Sequence, residues 1–289
     1  MFLLKNVTHQ DTYSAFFREE AQKAITYANG LLEDSTKGLI FDPEEHKYFL
    51  GEKEIPSVSS IVNYYAPFDT EGIALRCSKN PRHEHFGKSV EEILGIWDEK
   101  KKEAADAGTQ VHAFGEACCL YRQGRMDEID EEYKDRITTL GFEARIPKEE
   151  AAARWWDDLD LYRYVVVAKE TRIVNPSLCY AGTFDLLLYD MESKSYLLRD
   201  YKTNEDLFKF YGNMLKAPLN MIRANDAGKY TLQQNLYKLQ LKNIGINVSD
   251  MSLLWLKQDG LYQEVHLQDY DTLIAYAMQN NPTPQMRNN

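Results

Sequence analysis

The chain has 289 residues, of which 44% are hydrophobic and 12% aromatic, and it carries a formal net charge of −11 at pH 7. This size permits a substantial core in one large or two small domains, and the acidic balance argues against a protein that coats nucleic acid through bulk electrostatics. No apolar stretch approaches the length of a membrane span, and residues 1–7 lack the apolar region of a signal peptide, so a cytoplasmic location is expected.

The first part of the chain has mainly helical periodicity. The predicted elements are a helix at Tyr13–Leu32 capped by Asp11 or Thr12, a β-hairpin of Leu39–Phe41 and Lys47–Leu50, a helix from Pro56 to near Pro67, a helix at Lys88–Gly124 broken near Gly108, and helices at Met126–Leu140 and Lys148–Tyr164. Residues Thr70 to Pro81 receive no assignment.

The second part of the chain alternates strands and helices. The predicted elements are strands at Tyr164–Val174, Gly182–Tyr189 and Tyr196–Thr203, helices at Glu205–Leu215 and Lys229–Asn243, strands at Met251–Lys257 and Leu261–Leu267, and a helix at Asp269–Gln279. This order indicates an α/β core preceded by a helical extension. We expect a mainly helical N-terminal region with a β-hairpin, packed on the core, at 1–107, the core at 108–279 and a flexible tail at 280–289.

Two carboxylates and a lysine occupy the predicted hairpin of the core. Folding about the polar turn at 190–195 puts Asp185 roughly opposite Asp200, and Lys202 points the same way as Asp200 because side chains alternate along a strand. Opposed like charges are unfavourable among leucines, and a bound divalent cation would relieve the conflict. The alternative is an exposed hairpin whose Asp and Lys side chains pair across the strands, but apolar residues on both faces favour a central strand.

Three other pairs or single residues are candidates for the same site. His112 and Glu116 lie one helical turn apart and can share a cation or its bound water, or form a simple surface contact. Gln233 and Tyr237 repeat this spacing on the Lys229–Asn243 helix, where a solvated helix surface is the alternative. Glu170 on the first strand is a candidate ligand, a supporting group or a salt-bridge partner.

Cations and aromatic residues are interleaved from Leu207 to Asn243, where Asp226 is the only acid. Such a run suits a groove that binds a nucleic-acid strand through phosphates and stacked bases, and a solvated face is the alternative. A second, shorter basic stretch lies between Arg76 and Lys88. The candidate DNA-binding residues are Lys209, Lys216, Arg223, Lys229 and Lys238.

The ordered motifs Gly-Thr-x-x-His-x-x-x-Glu, a strand Glu, Gly-Thr-x-Asp, Asp-x-Lys and Gln-x-x-x-Tyr resemble the RecB-like branch of the PD-(D/E)xK nuclease superfamily. The resemblance spans about Gly108 to Lys257, and the usual Pro-Asp is Phe184-Asp185 here. It implies a restriction-endonuclease-like core made of a helix, a three-stranded meander, a helix and a strand. The upstream Pro56–Ile61 segment also resembles nucleases encoded by bacteriophages.

The resemblance and the chemistry together imply a site for Mg²⁺, with Mn²⁺ as a substitute, held by His112, Asp185 and Asp200. Lys202 would position the nucleophilic water or neutralise the phosphate, with Asp185 and Asp200 as the other catalytic residues. The supporting residues would be Glu116, Glu170, Gln233 and Tyr237. Because no Cys follows Cys179, the iron–sulfur cluster of some RecB-like relatives is not expected; the four cysteines are expected to be reduced and mostly buried.

The leading interpretation is a Mg²⁺-dependent DNA exonuclease acting in recombination, repair or phage genome processing, in the host cytoplasm if a phage encodes it. DNA is the expected partner, with a single-strand annealing protein or a helicase as candidate protein partners and the oligomeric state open. The alternatives are an endonuclease or flap nuclease on the same scaffold, a catalytically silent DNA-binding or assembly protein, and a metal hydrolase acting on a small phosphoester.

Overall fold

The computed structural model describes residues 2–5 and 15–287, which form a mixed α/β fold. The helices are α1 (Ala15–Ser35), α2 (Val58–Tyr65), α3 (Thr70–Lys79), α4 (Val90–Arg122), α5 (Glu131–Lys134), α6 (Pro147–Asp158), α7 (Asp226–Asn243), α8 (Asp271–Asn280) and α9 (Pro284–Arg287). The strands are β1 (Phe2–Leu4), β2 (Leu39–Asp42), β3 (Lys47–Leu50), β4 (Lys53–Ile55), β5 (Ile137–Thr138), β6 (Gly141–Ala144), β7 (Tyr164–Asn175), β8 (Tyr180–Asp190), β9 (Ser195–Lys202), β10 (Val248–Leu256) and β11 (Tyr262–His266).

A five-stranded sheet of order β11-β10-β9-β8-β7 carries the polar residues of the predicted hairpin. Strands β7, β8 and β9 form an antiparallel meander, and β10 runs parallel to β9 after the α7 crossover. Strand β9 lies at the centre, where every residue except Lys202 is buried. The apolar residues on both faces of this segment therefore reflect a central strand, as the sequence predicts.

Helices cover both faces of this sheet. On one face, Leu187 and Leu198 pack in a cluster with residues of α1, α2 and α7. On the other face, Leu186, Leu188 and Leu197 pack with residues of α4 and α6. The alternation of side chains along β8 and β9 divides these leucines between the two clusters and holds the sheet between two helical layers.

Two smaller sheets flank the main one. The predicted hairpin of β2 and β3 gains a third strand, β4, and Tyr48 and Ile55 of this sheet pack against Val174 and Ala181 of the main sheet. Strands β1, β6 and β5 form the other small sheet, in that order. Short strands such as β1, β4, β5 and β6 leave little periodic signal, and the sequence does not predict them.

Helix α4 runs without a break through Gly108, contrary to prediction. Its start is fixed by a capping box, in which the Ser89 hydroxyl accepts the Glu92 N–H and the Glu92 carboxylate accepts the Ser89 N–H. A single glycine costs a helix only about 1 kcal/mol, and good helix formers precede Gly108. The predicted boundary between residues 107 and 108 therefore lies inside a helix.

Two predicted helices are wrong. The segment 126–140 holds only a 3₁₀ turn at Met126–Glu128, the short α5 and strand β5, which pairs with β6. The segment 205–215 is irregular: the Asp206 carboxylate accepts the N–H groups of Phe208 and Lys209, and Gly212 has φ of 87°. Side-chain bonds to the local backbone and left-handed glycine compete with helix formation.

Two helices that the sequence does not predict lie after Pro67 and near the end of the described chain. The unassigned residues after Pro67 form α3, capped by the Asp69 carboxylate, which accepts the Gly72 N–H. The predicted caps of the first helix, Asp11 and Thr12, lie outside the described residues. Within the predicted flexible tail, Pro284–Arg287 form α9, and Met286 is buried against the main core. Among the helices of the described chain, none is long and apolar enough to cross a membrane.

Candidate metal centre and nucleic-acid cleft

The β8–β9 hairpin brings its two aspartates next to each other. Leu186 pairs with Arg199, so Asp185 and Asp200 are the next residues in the register. The N–H of Tyr201 donates to Oδ2 of Asp185 at 2.9 Å, which fixes this carboxylate where the two strands stop pairing. The expected opposition of the two aspartates is therefore present at the end of the ladder.

Strand β7 adds a third carboxylate to the row. Lys169 pairs with Leu186 and Thr171 with Phe184, so Glu170 stands beside Asp185 across the ladder. Glu170 has φ of 41°, a left-handed conformation that is uncommon for a non-glycine residue. Such backbone conformations persist where the surrounding structure imposes them, and they cluster at functional sites.

His112 of α4 completes a group that could hold a cation. Its Nδ1 lies 3.3 Å from Oδ2 of Asp185, and its ring packs edge-on against Tyr201 with centroids 5.7 Å apart. Ligand atoms of His112, Glu170 and Asp185 all lie within 4.8 Å of one another. One imidazole nitrogen and two carboxylates are a donor set that suits Mn²⁺ or Mg²⁺.

Electrostatics at this group favour the entry of positive charge. Glu170 is exposed as a residue, but its carboxylate is partly desolvated by its neighbours; this desolvation, followed by the charges of Asp185 and Glu116, raises the pKa of Glu170 above its usual range. Burial and the charge of Asp185 likewise raise the pKa of Asp200. Both shifts mean that the ionised forms are unfavourable without a counter-charge, so the residues present fit a divalent cation.

Asp200 lies beside the three-residue group rather than within it. It is fully enclosed, its Oδ2 contacts the Lys202 ammonium, and its Oδ1 accepts the amide of Gln234 at 2.9 Å. Glu170, expected as a supporting residue, occupies the place in the group that the sequence assigns to Asp200. The role of Asp200 as a metal ligand stays a prediction.

Lys202 is held by a carboxylate and an aromatic ring. Its ammonium contacts Asp200 and lies 4.4 Å from the ring centroid of Tyr230. Burial opposes the charge, but the carboxylates of Asp200 and Asp185 outweigh burial and raise the pKa of Lys202 above its usual value. The surrounding carboxylates therefore favour the protonated form of Lys202.

Two adjacent glutamines of α7 have different surroundings. Gln234 is completely buried and bonds to Asp200, whereas Gln233 lines a cavity of about 420 Å³ together with Tyr237, Glu170, Arg172 and Ser57. Oε1 of Gln233 is buried without a hydrogen-bond partner among the described residues. The sequence selects Gln233 and misses Gln234, whose only signal is a polar residue next to the apolar stripe of the helix.

Glu116 is bonded to a residue that the sequence analysis does not select. Its carboxylate contacts the Lys169 ammonium. Glu116, Glu170 and His112 line one surface pocket. This ion pair ties α4 to β7 at the level of the metal-binding group. Lys169 gives no motif signal because one lysine on a strand is common.

The five candidate DNA-binding residues have three different kinds of surroundings. Lys209 and Lys229 line a cleft of about 560 Å³ with Arg76 of α3, which joins the two basic stretches of the sequence. Lys216 and Arg223 are exposed on the same irregular segment, over the rings of Tyr64 and Phe210. Lys238 is buried and donates to Asp269 at 2.7 Å, so it offers no free charge to DNA, contrary to expectation.

A second acidic group lies at the other edge of the sheet and is already neutralised. Asp250, Glu264 and His266 have ligand atoms within 4.8 Å of one another. The guanidinium of Arg199 donates to Asp250 at 2.9 Å and to Glu264 at 2.8 Å, so its positive charge takes the place of a cation.

The cysteines are free; Cys77, Cys118 and Cys119 are buried, and burial raises the pKa of Cys118 and Cys119.

Comparison with known proteins gives a distant likeness among solved structures. No protein-family model matches the sequence, and no curated protein matches it. Among solved structures, the chain is similar to a putative exonuclease from Eubacterium rectale, with 16% sequence identity and a TM-score of 0.37. The match covers 60% of this chain and 65% of that protein, so the chain spans less than two thirds of its length. A likeness at this level carries no argument about activity.

Proposed function

We propose that this protein is a metal-dependent deoxyribonuclease that hydrolyses phosphodiester bonds, acting as an exonuclease. The observation that carries the proposal is the group of His112, Glu170 and Asp185, whose ligand atoms lie within 4.8 Å of one another beside the Asp200–Lys202 ion pair. Carboxylates, an imidazole and a neighbouring lysine are the components that hydrolysis of a phosphodiester requires.

His112, Glu170 and Asp185 would hold Mg²⁺ or Mn²⁺, with Asp200 as a further candidate ligand. When bound, the cation supplies a Lewis acid that polarises the phosphate and acidifies a water molecule. The Tyr201 N–H holds the Asp185 carboxylate in place through its bond to Oδ2. A ligand fixed from behind in this way keeps its orientation, and loss of such support commonly lowers metal affinity.

Lys202 serves in this proposal as a cationic donor to a phosphate oxygen. Burial disfavours its charge, but Asp200 and Asp185 raise its pKa and so favour the protonated form. A protonated lysine neutralises charge that develops on the phosphate in the transition state.

The cavity beside Glu170 provides room for the scissile strand. Arg172, Gln233 and the hydroxyl of Ser57 line it, and Ser57 also caps α2. An exposed guanidinium and hydroxyl groups suit contacts to phosphate oxygens without reading bases. The exonuclease mode and the partners, an annealing protein or a helicase, rest on the motif resemblance alone.

The test uses end-labelled linear DNA and closed circular DNA incubated with Mg²⁺ or Mn²⁺. We expect stepwise loss of the label from linear DNA and intact circles. Asp185→Asn and Lys202→Ala should each lower the rate by at least ~10- to 100-fold. Glu103→Gln, which changes an exposed carboxylate on α4 outside the site, should cleave as wild type does.

The other outcomes separate the alternative functions. Cleavage of the circles would identify an endonuclease. DNA binding without cleavage in either metal would identify an assembly protein. Hydrolysis of bis(p-nitrophenyl) phosphate with no attack on any DNA would identify a hydrolase of small phosphoesters, and equal cleavage by Asp185→Asn would remove the site assignment.

A further inference from the structure

Exposed aromatic rings collect at the cleft that joins α3 to the segment before α7. Phe68 is 59% exposed and Tyr211 is 71% exposed, and both line this cleft of about 560 Å³. Phe210, at 42% exposure, follows on the same segment. Several large rings left in water at one place mark a binding surface rather than scattered surface residues.

The rings are interleaved with cations, although the chain as a whole is acidic. The Lys209 ammonium lies 5.4 Å from the ring centroid of Tyr211, and the Arg223 guanidinium lies 5.0 Å from that of Phe210. Residues 207–225 include no Asp or Glu, in a chain of net charge −11, and the cleft lining holds three cations, Arg76, Lys209 and Lys229, against the two acids Asp206 and Asp226. Arg76 reaches the same cleft from α3. The surface therefore complements a ligand that has both negative charge and flat apolar faces.

A short chain of side chains connects this cleft to the metal-binding group. The ring of Tyr230 lies under the Lys202 ammonium, and its hydroxyl donates to Asn204 at 3.0 Å. The Asn204 amide donates to Asp226 at 2.8 Å, and Asp226 lines the cleft. These contacts join the cleft to the metal-binding group through Lys202, Tyr230, Asn204 and Asp226.

We propose that this cleft binds the unpaired bases of single-stranded DNA, which stack on Phe68 and Tyr211 while Arg76, Lys209 and Arg223 contact the phosphates. This inference rests on the proposed nuclease function and names the form of its substrate. Bases in a duplex already stack on one another, so free ring faces are useful only to a strand whose bases are unpaired. Stacking on rings is tolerant of sequence, which suits a nuclease that acts along any strand.

The test measures binding of a fluorescent oligo-dT strand to the full chain carrying Asp185→Asn, without added metal, so that cleavage does not compete with binding. Phe68→Ala and Tyr211→Ala are added to this background. Tyr211→Phe, which keeps the ring, and Tyr276→Ala, which removes a 52% exposed tyrosine of α8, serve as controls. We expect each of the two cleft variants to raise Kd at least about fivefold, with little change in either control.

Two further ligands define what would overturn the inference. A matched duplex and an abasic strand of the same length should bind the cleft variants and the parent equally. If the abasic strand lost affinity to the same extent as oligo-dT, the rings would only support the segment, and stacking would be ruled out. Unchanged binding of oligo-dT by both cleft variants would also rule it out.

Failure of this inference and failure of the nuclease proposal give different results. If the wild type cleaves DNA with metal and the cleft variants bind oligo-dT normally, the nuclease proposal stands and the proposal for the cleft is wrong. If the wild type cleaves no DNA and oligo-dT binding still depends on the rings, the nuclease proposal is wrong and the proposal for the cleft stands. Thermal melting of each variant confirms that it is folded.

Discussion

The side-chain amide of Gln234 donates to Oδ1 of Asp200 at 2.9 Å from a position that is completely buried. Oδ2 of the same aspartate contacts Lys202. The glutamine on α7 and the lysine on β9 therefore hold one carboxylate from two sides. Because an enclosed carboxylate needs its hydrogen bonds, Gln234 positions the aspartate that adjoins the metal-binding group.

We expect Gln234→Leu to lower the free energy of unfolding by about 1–3 kcal/mol, because it leaves Oδ1 of Asp200 buried without a donor. Gln233→Leu is the matched control on the neighbouring residue, because Oε1 of both glutamines is buried without a partner among the described residues and only Gln234 donates to Asp200. Gln233→Leu should lower the free energy of unfolding by less than Gln234→Leu does. Urea unfolding of both variants at neutral pH makes the comparison. Equal losses would show that the bond to Asp200 contributes nothing particular.

Gly115→Ala should destabilise the protein and disturb the site. An added Cβ would lie 2.9 Å from Cζ of Tyr201, whose hydroxyl accepts the Trp156 N–H at 2.9 Å, so the ring cannot give way easily. Overpacking of this kind costs about 1–3 kcal/mol. Because the Tyr201 N–H also holds Asp185, metal affinity should fall with stability.

The same helix offers a control for that substitution. No described atom outside the helix's own backbone lies within 4 Å of the Cβ that Gly95→Ala would add, so this change should stabilise α4 by about 0.5–1 kcal/mol. Opposite signs for the two variants, measured by thermal unfolding, would support the close approach of α4 to β9. A stabilising Gly115→Ala would contradict it.

Mn²⁺ or Mg²⁺ should raise the Tm of the wild type, because a ligand that binds only the native state stabilises it by about 2.7 kcal/mol at 100 times Kd. Asp185→Asn should lose most of this response, since it removes an anionic member of the group while leaving the Asp200–Lys202 pair intact. Glu103→Gln should respond as wild type does. The measurement is Tm against metal concentration. If Asp185→Asn showed the full rise in Tm, the metal would bind at a site that does not include Asp185.

Asp190 gives a pH dependence that is independent of the metal. Although burial alone would raise its pKa, hydrogen bonds from Arg163, the Glu192 N–H and Ser193 lower the pKa of Asp190 to about 2. Because the folded pKa lies below the unfolded value, the resulting stability is present above about pH 4 and is lost as the pH falls through about 2. It amounts to about 2 kcal/mol.

Asp190→Asn should therefore be less stable than the wild type at pH 7, and the difference should shrink as the pH approaches 2. Chemical unfolding at several pH values measures this difference. Asp190 begins the turn between β8 and β9, so the variant also tests how far this turn determines the placement of Asp185 and Asp200. A difference that does not vary with pH would contradict the assignment of the ion pair.

Changing Lys209, Lys216 and Arg223 together to Ala should weaken DNA binding more than it slows cleavage at saturating DNA. These residues lie outside the metal-binding group, and three phosphate contacts are at stake. Loss of each contact should flatten the dependence of log affinity on log salt by up to ~0.9 on duplex and ~0.7 on single strands. Titration of Asp185→Asn protein with fluorescent DNA measures the slope, and an unchanged slope would make this a solvated surface.

The sequence alone determined the central hairpin of the sheet. Segments rich in Leu, Tyr and Phe on either side of a polar turn identify β8 and β9. The alternation of side chains along β9 then puts Asp200 and Lys202 on one face, with Asp185 across from Asp200 on the neighbouring strand. These are local relationships. A residue's partner across a tight hairpin depends mainly on where the turn lies, and the polar residue types identify the turn.

Only the tertiary structure decided which residues join this hairpin. Lys169 and Gln234 take their places through the packing of β7 and α7 on the central strands, and no spacing within their own segments reveals it. The sequence names Glu170 as a ligand, a supporting group or a salt-bridge partner, and only the packing of β7 on β8 puts it beside Asp185 and His112. Contacts between segments far apart in sequence contribute several kcal/mol, whereas propensity differs by less than about 1 kcal/mol per residue, so packing prevails where the two disagree.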